Sequence, residues 1–263
     1  MTSRKLVAGN WKMHGLSADI AAIEDIAAAS REFPQVDVAL CVPAILIERA
    51  SRAVPGFPIG GQDVHHAEKG AHTGCISAQM LVDAGAVLTI VGHSERRDAQ
   101  REMNGEVREK ATAALACGLN VILCVGESLE ARQRGQALST VLAQLDGSVP
   151  EHPPANSELS IAYEPVWAIG TGKVPSTDEI AEMHAAIRKR VVEHLGAEGR
   201  DVRLLYGGSV KASNAAEIFA VPNVDGALVG GASLKVEDFI PIVAAAATAA
   251  APSAASNTNR PAS

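Results

Sequence analysis

Four polar or charged side chains follow apolar, β-rich runs at the points where those runs end. Asn10 and Lys12 follow the run 5–8, His93 follows the run 87–91, and Glu164 follows the run 159–163. In folds built on parallel strands, catalytic residues lie at the carboxyl ends of the strands and in the loops after them. The placement of these four residues predicts one site.

The residue types suggest proton transfer beside an anion. Glu164 can abstract a proton from carbon if it lies in a pocket that is closed to water. The residues after His93 can begin a helix, whose N-terminus disfavours an imidazolium, so a neutral His93 can donate a hydrogen bond to a carbonyl. Lys12 can bind an anion, and Asn10 can donate to a developing oxyanion. Taken singly, each residue also has a structural interpretation: a solvated lysine, a hydrogen-bonded histidine, an ion-paired glutamate and an asparagine that closes a turn.

Two glycine pairs follow the last two predicted strands. They are Gly207-Gly208, next to Ser209, and Gly230-Gly231. Paired glycines let backbone N–H groups approach an anion closely, and a short helix starting near Gly231 would add its positive end. Phosphate sites after strands seven and eight recur in (β/α)₈ barrels, whereas plain tight turns are the alternative interpretation.

A segment after Glu164 has the composition of a lid, with rigid residues at its ends and small ones at its tip. Closure of such a loop excludes water from a reactive intermediate. It matches neither a P-loop nor a dinucleotide-binding glycine fingerprint. The predicted lid comprises Pro165, Val166, Trp167, Ala168, Ile169, Gly170, Thr171, Gly172 and Lys173.

Neither a metal nor an organic cofactor is expected. His65, His66, His72 and Glu68 lie in a glycine-containing loop without the helical i, i+4 pairing of an H-E-x-x-H zinc site. We interpret this loop as polar and in contact with a partner subunit. The four cysteines show no metal or C-x-x-C spacing, which favours free thiols in a reducing compartment.

Eight strand candidates alternate with helical patterns, for example the capping box at Ser176–Glu179 followed by an apolar stripe. Nearly continuous apolar strands are typical of parallel sheets covered on both faces. An open doubly wound sheet and a closed barrel both fit this alternation. The count of eight and the length favour an α/β fold of the (β/α)₈ (TIM) barrel type, with eight parallel strands surrounded by helices. The strand candidates are 5–8, 36–42, 58–61, 87–91, 120–125, 159–163, 202–206 and 227–229.

The composition of the chain excludes several classes of partner. The 263 residues carry 23 Lys and Arg against 30 Asp and Glu, a net charge of −7, and 47% of them are hydrophobic. This acidic balance argues against a nucleic-acid partner. No signal-peptide pattern or membrane-length apolar segment is present, so we expect a cytoplasmic protein without a membrane partner. We predict one barrel domain over 1–247 and a disordered tail rich in Ala, Ser and Pro over 248–263.

Five motifs in order resemble the triosephosphate isomerase family in its bacterial form. They are 9–12 (GNWK), 92–97 (GHSERR), 162–172 (AYEPVWAIGTG), 206–210 (YGGSV) and 229–234 (VGGASL). The resemblance implies interconversion of dihydroxyacetone phosphate and D-glyceraldehyde 3-phosphate, in glycolysis and gluconeogenesis, without metal or cofactor. It also implies a homodimer, in which the loop around Thr73, Gly74 and Cys75 reaches into the partner.

The resemblance implies a role for each matching residue. Glu164 is the base, His93 the neutral electrophile, Lys12 the cation for the enediolate and the phosphate, and Asn10 a support for the oxyanion. Gly170, Ser209, Gly230 and Gly231 bind phosphate together with Asn10 and Lys12.

Two departures from the family pattern concern the interface and the lid. Cys75 replaces the usual Glu of the interdigitating loop, and Val174-Pro175 replace the usual Thr-Ala of the lid hinge. Since proline fixes φ, we expect a stiffer hinge.

Two other classes of function remain open at this stage. An aldolase-type lyase on a phosphate-binding barrel would need a Schiff-base lysine or a metal, and Lys12 is the only lysine at a predicted strand end. A non-catalytic binding barrel would be expected to lack part of the catalytic set, which is complete here.

Overall fold

Eight parallel strands form a closed barrel in chain order. The computed structural model describes residues 4–154, 157–169 and 173–250. Each strand begins and ends within two residues of its predicted bounds, which confirms the barrel and excludes the open sheet. The strands are β1 Lys5–Asn10, β2 Val36–Cys41, β3 Ile59–Gly61, β4 Leu88–Val91, β5 Asn120–Val125, β6 Leu159–Tyr163, β7 Arg203–Tyr206 and β8 Gly226–Val229.

Helices surround the barrel and connect successive strands. The capping box predicted at the start of α8 is present: Ser176 Oγ accepts from Glu179 N, and Glu179 Oε2 accepts from Ser176 N. The predicted stripe of Ile180, Met183 and Ile187 is buried against the barrel wall. The helices are α1 Ile20–Ser30, α2 Ala44–Ala53, α3 Ala78–Asp83, α4 Ser94–Ala99, α5 Asn104–Ala116, α6 Leu129–Gln133, α7 Ala137–Ser148, α8 Thr177–Leu195, α9 Ala215–Phe219 and α10 Val236–Ala250; 3₁₀ turns lie at Ser17–Asp19, Val166–Ala168, Gly196–Arg200 and Gly231–Leu234.

The apolar side chains form two layers. One fills the barrel interior with small and medium residues, including Ala8, Cys41, Cys124 and Leu228, and the other lies between the strands and the helices. The barrel closes where β1 pairs with β8, with Leu6 opposite Gly226. A Cβ on Gly226 would lie 1.9 Å from the carbonyl oxygen of Leu6, so closure at this register requires glycine.

The last helix in the described part of the chain runs past the predicted end of the domain. α10 continues through Ala250, because Ala246 and Ala247 still pack on the core. The rest of the predicted tail, 251–263, lies outside the described residues, and the domain boundary stays a prediction. None of the described helices is both long and apolar enough to cross a bilayer.

A buried histidine predicts how stability depends on pH. His184 is fully buried on α8, its Nδ1 lies 2.9 Å from the carbonyl oxygen of Asn223, and its ring meets Tyr163 edge-on. Burial lowers the pKa of His184 from 6.5 to about 4. The unfolded chain therefore binds a proton that the native state cannot, and the stabilisation present above pH 6.5 is lost as the pH falls toward 4.

We expect the free energy of unfolding to fall by roughly 2 kcal/mol between pH 7 and pH 5 through this group. Urea titrations at fixed protein concentration would show the loss, and the difference between the two pH values should shrink by that amount in His184→Phe. The same difference in both proteins would assign the pH dependence to other groups.

Candidate active site

The predicted residues meet in one cavity of about 310 Å³ at the carboxyl ends of the strands. Asn10, Lys12, His93 and Glu164 line it, although they come from β1 and the loops after β1, β4 and β6. Ser209, Gly230 and Gly231 line the same cavity, as does Ile169 from the predicted lid. Gly170, Thr171 and Gly172 lie outside the described residues.

Glu164 and His93 form a buried pair at the bottom of the cavity. Glu164 Oε1 lies 2.9 Å from His93 Nε2, and Glu164 Oε2 accepts a hydrogen bond of 2.9 Å from the backbone N–H of Ser94. Burial acts to raise the pKa of Glu164, but His93 and the Ser94 N–H outweigh it, so this pKa is lowered. The carboxylate is therefore ionised and available as a base at neutral pH.

The protonation of His93 follows from its position at the start of α4. It is the N-cap residue, and its Nδ1 accepts a hydrogen bond of 3.3 Å from the backbone N–H of Glu95. An accepting Nδ1 leaves the ring proton on Nε2, the nitrogen that faces Glu164.

The pKa of His93 depends on where Glu164 points. Burial acts to lower the pKa, yet it is raised because of the charge and hydrogen bond of Glu164. Without the charge and the hydrogen bond of Glu164, burial and the helix N-terminus would both favour the neutral ring.

Lys12 is held in a left-handed backbone conformation. Its φ is 52°, which costs a non-glycine residue about 1–2 kcal/mol. Two hydrogen bonds fix it: its backbone N–H donates to Asn10 Oδ1 at 2.9 Å, and its carbonyl accepts from Gln62 Nε2 at 2.9 Å. Its ammonium pairs with Glu95 at the cavity rim. These two hydrogen bonds stabilise the strained backbone of Lys12 and so fix the position of its side chain.

The two glycine loops are shaped by close contacts. A Cβ on Gly208 would lie 2.2 Å from the hydroxyl of Tyr206. After β8, Ser233 Oγ donates to the carbonyl of Gly230 at 2.7 Å, and Trp11 Nε1 donates to the carbonyl of Ser233 at 2.9 Å. The 3₁₀ turn that begins at Gly231 has first N–H groups without an intrahelical partner, as an anion site requires.

The first part of the predicted lid rests on Glu127, a fully buried carboxylate. Its Oε1 accepts from Trp167 Nε1 at 2.9 Å and from the Tyr163 hydroxyl at 3.1 Å. Arg132 stacks on the Trp167 ring and pairs with both Glu127 and Glu179, the capping residue beyond the lid. One guanidinium thus connects Trp167 at the start of the lid with the first turn of α8, the helix that follows the lid.

Sequence reasoning missed three residues of this site: Gln62, Glu95 and Glu127. Glu127 was detectable, because it follows the apolar strand β5 as the other site residues follow theirs. Gln62 follows β3 in the same way, and Glu95 lies within the motif 92–97, but the contacts of both with Lys12 join segments that are distant in sequence.

The loop after β3 lies beside the site, not in the 310 Å³ cavity. Thr73, Gly74 and Cys75 are exposed in the single chain. The ring of His65 stacks on that of His66 at a centroid distance of 4.4 Å and lies tilted against that of His72 at 4.1 Å. Over the residues that the structure describes, no group of three potential ligands is arranged to hold a metal ion.

Fold and site together define the class as a (β/α)₈-barrel enzyme with a carboxylate, an imidazole and an ammonium around one cavity. A sequence profile described as "Triosephosphate isomerase" matches residues 5–246. The chain belongs to the triosephosphate isomerase family.

Similar proteins cover nearly the whole chain. The triosephosphate isomerase of Ruegeria sp. (strain TM1040) is 55% identical over 246 residues, which are 93% of this chain and 99% of that protein. The triosephosphate isomerase of Caulobacter vibrioides is 52% identical over 247 residues, 93% of this chain and 97% of its own. The crystal structure of triosephosphate isomerase from Bartonella henselae is 42% identical in sequence and superimposes with a TM-score of 0.84. The match spans 92% of this chain and 98% of that chain.

Proposed function

We propose that Glu164, His93, Lys12 and Asn10 together carry out the reaction of this family. As a triosephosphate isomerase, the chain interconverts dihydroxyacetone phosphate and D-glyceraldehyde 3-phosphate in glycolysis. The observation that supports these roles is the shared cavity, in which a buried carboxylate lies 2.9 Å from an imidazole and an ammonium lines the same walls.

The reaction begins with removal of a proton from carbon. The Glu164 carboxylate takes the proton from the carbon next to the carbonyl. The electron pair of that C–H bond forms a carbon–carbon double bond, and the π pair of the C=O bond moves to the carbonyl oxygen. The Nε2–H of His93 donates to this oxygen, while the ammonium of Lys12 and the amide of Asn10 stabilise its developing charge. One proton then passes from the hydroxyl oxygen of the enediolate to the former carbonyl oxygen, so that the hydroxyl oxygen becomes the new carbonyl. Glu164 returns its proton to the former carbonyl carbon, and atoms and charge balance without a cofactor.

The phosphate group belongs at the glycine loops in this proposal. Ser209, Gly230 and Gly231 supply short side chains and backbone N–H groups there, and Lys12 adds charge between the phosphate and the reacting carbons. Gly170 contributes from the lid, whose closure excludes water from the intermediate.

A coupled assay of the purified chain with D-glyceraldehyde 3-phosphate tests the function. We expect isomerisation without added metal in the presence of a chelator. Borohydride treatment with substrate tests the lyase alternative, and inactivation with a covalent adduct on Lys12 would support it.

We further propose a homodimer of cytoplasmic location, in which Thr73, Gly74 and Cys75 contact the partner. Several large apolar side chains are exposed near the site, among them Met13 (95%), Ile45 (80%) and Leu16 (74%). A groove of about 550 Å³ beside the site is lined by Met13, Gln62 and Arg96 together with Asn10 and Lys12. A loop from a second copy in this groove would bury Met13 and support Lys12 from outside.

We expect Met13→Asp to produce a monomer with greatly reduced activity, because a charge would have to be buried at the interface. Sedimentation velocity with parallel assays checks this. The control is Met103→Asp, since Met103 is also exposed (72%) but does not line this groove. A fully active dimer of Met13→Asp would contradict the proposed interface.

A further inference from the structure

Two side chains that the catalytic proposal does not use also line the active-site cavity. His14 lies two residues after Lys12, and Lys211 lies two residues after Ser209 in the loop that follows β7. Both are exposed, and neither has an ion pair or a side-chain hydrogen bond within the described part of the chain.

Lys211 differs from Lys12 in that its ammonium has no ion-pair partner among the described residues. The Lys12 ammonium is paired with Glu95, so part of its charge is neutralised before substrate arrives. No carboxylate among the described residues lies within salt-bridge distance of the Lys211 ammonium. The charge of Lys211 is therefore not neutralised by a direct ion pair among these residues.

The backbone of Lys211 is fixed although its side chain is free. Asn214 Oδ1 accepts from the Lys211 N–H at 2.8 Å, and Asn214 Nδ2 donates to the carbonyl of Ser209 at 3.0 Å. The carbonyl of Lys211 accepts from the N–H groups of Asn214 and Ala215 at 3.1 and 3.0 Å. The loop thus fixes the backbone of Lys211 next to Ser209, while the Lys211 ammonium can still move.

The net negative charge of the molecule explains why a cation at the cavity entrance would help substrate to bind. A net charge of −7 repels a doubly negative phosphate ester, and a local cation at the entrance can offset this and raise the rate of encounter. We propose that Lys211 is a capture residue, which draws the phosphate dianion of the substrate toward the loop at Ser209 and takes no part in proton transfer. This inference rests on the proposed function, since it takes the cavity as the site of a phosphorylated substrate.

The proposal predicts a defect in substrate capture alone. We expect Lys211→Met to lower kcat/KM for D-glyceraldehyde 3-phosphate about 3- to 10-fold at an ionic strength near 0.01 M, with kcat changed less than twofold. Because salt screens exposed charges, the defect should nearly vanish at about 0.3 M salt. The inhibition constant of inorganic phosphate should rise by a similar factor, and Lys211→Arg should restore both values.

Arg31→Gln is the matched control. Arg31 is exposed, has no ion pair among the described residues, and lies at the opposite end of the barrel, so this variant removes the same charge from the molecule. Equal losses in Arg31→Gln and Lys211→Met would assign the effect to net charge and overturn the proposal. Unchanged kcat/KM and phosphate inhibition at low salt in Lys211→Met, or a loss confined to kcat, would also overturn it. Failure of the proposed function would show instead as a wild-type protein without isomerase activity.

Discussion

Glu164→Asp should lower kcat by about 10²- to 10³-fold while KM changes little. Removal of one methylene draws the carboxylate back by about 1 Å, a misplacement that costs roughly this much when a base must meet a C–H bond. Binding of the phosphate depends on the glycine loops and Lys12, which the substitution does not touch. Steady-state assays in both directions, with circular dichroism to verify folding, measure the effect.

Two further variants define the cause of that loss. Glu164→Gln keeps the length of the side chain but cannot accept a proton, so we expect activity below that of Glu164→Asp. Ser94→Ala is the control for the local structure, because the hydrogen bond to Glu164 comes from the backbone N–H of Ser94 and survives the change. Activity within a few-fold of wild type in Glu164→Asp would remove this residue from the role of base.

Lys12→Met should lower kcat/KM by about 10³-fold, equivalent to ~4 kcal/mol of transition-state stabilisation. Methionine has a similar length and pays a similar cost at φ 52°, so the loss isolates the charge. We expect kcat to fall and KM to rise, because the ammonium stabilises the enediolate oxygen and also binds the phosphate. Inorganic phosphate should also inhibit the variant more weakly.

The expected stability of Lys12→Met is close to that of wild type. The partner Glu95 is 56% exposed and stays solvated without Lys12, and exposed ion pairs contribute little to stability. Denaturant titrations of both proteins therefore serve as the control. A variant that folds normally and keeps more than a tenth of wild-type kcat/KM would contradict the assignment.

The local signals in the sequence were sufficient for the barrel and for the four central residues. Apolar runs without alternation marked the strands, and a polar residue after each run marked Asn10, Lys12, His93 and Glu164, because strand ends of a barrel converge. The capping box at Ser176 fixed the start of α8 in the same way. The roles assigned to the site residues stay predictions until variants are measured.

What the sequence did not show arises from contacts between distant segments. The pairing of Lys12 with Glu95 and the support from Gln62 join residues that are 83 and 50 positions apart. The link from Trp167 through Glu127 and Arg132 to Glu179 likewise depends on the packing of loops from β5 and β6. Helix α10 runs three residues past 247, the predicted end of the domain, since burial of Ala246 and Ala247 outweighed the weak apolar character of alanine.

Solvent-isotope incorporation tests the central claim, transfer of the carbon-bound proton by a single carboxylate, most directly. D-Glyceraldehyde 3-phosphate is converted in D₂O with excess enzyme, and the dihydroxyacetone phosphate formed is examined by ¹H NMR. The account predicts deuterium at one of the two hydrogens of the former aldehyde carbon, on a single face, and a loss of this labelling in Glu164→Gln. Deuterium on both faces of that carbon, or labelling that continues at the wild-type rate in Glu164→Gln, would contradict it.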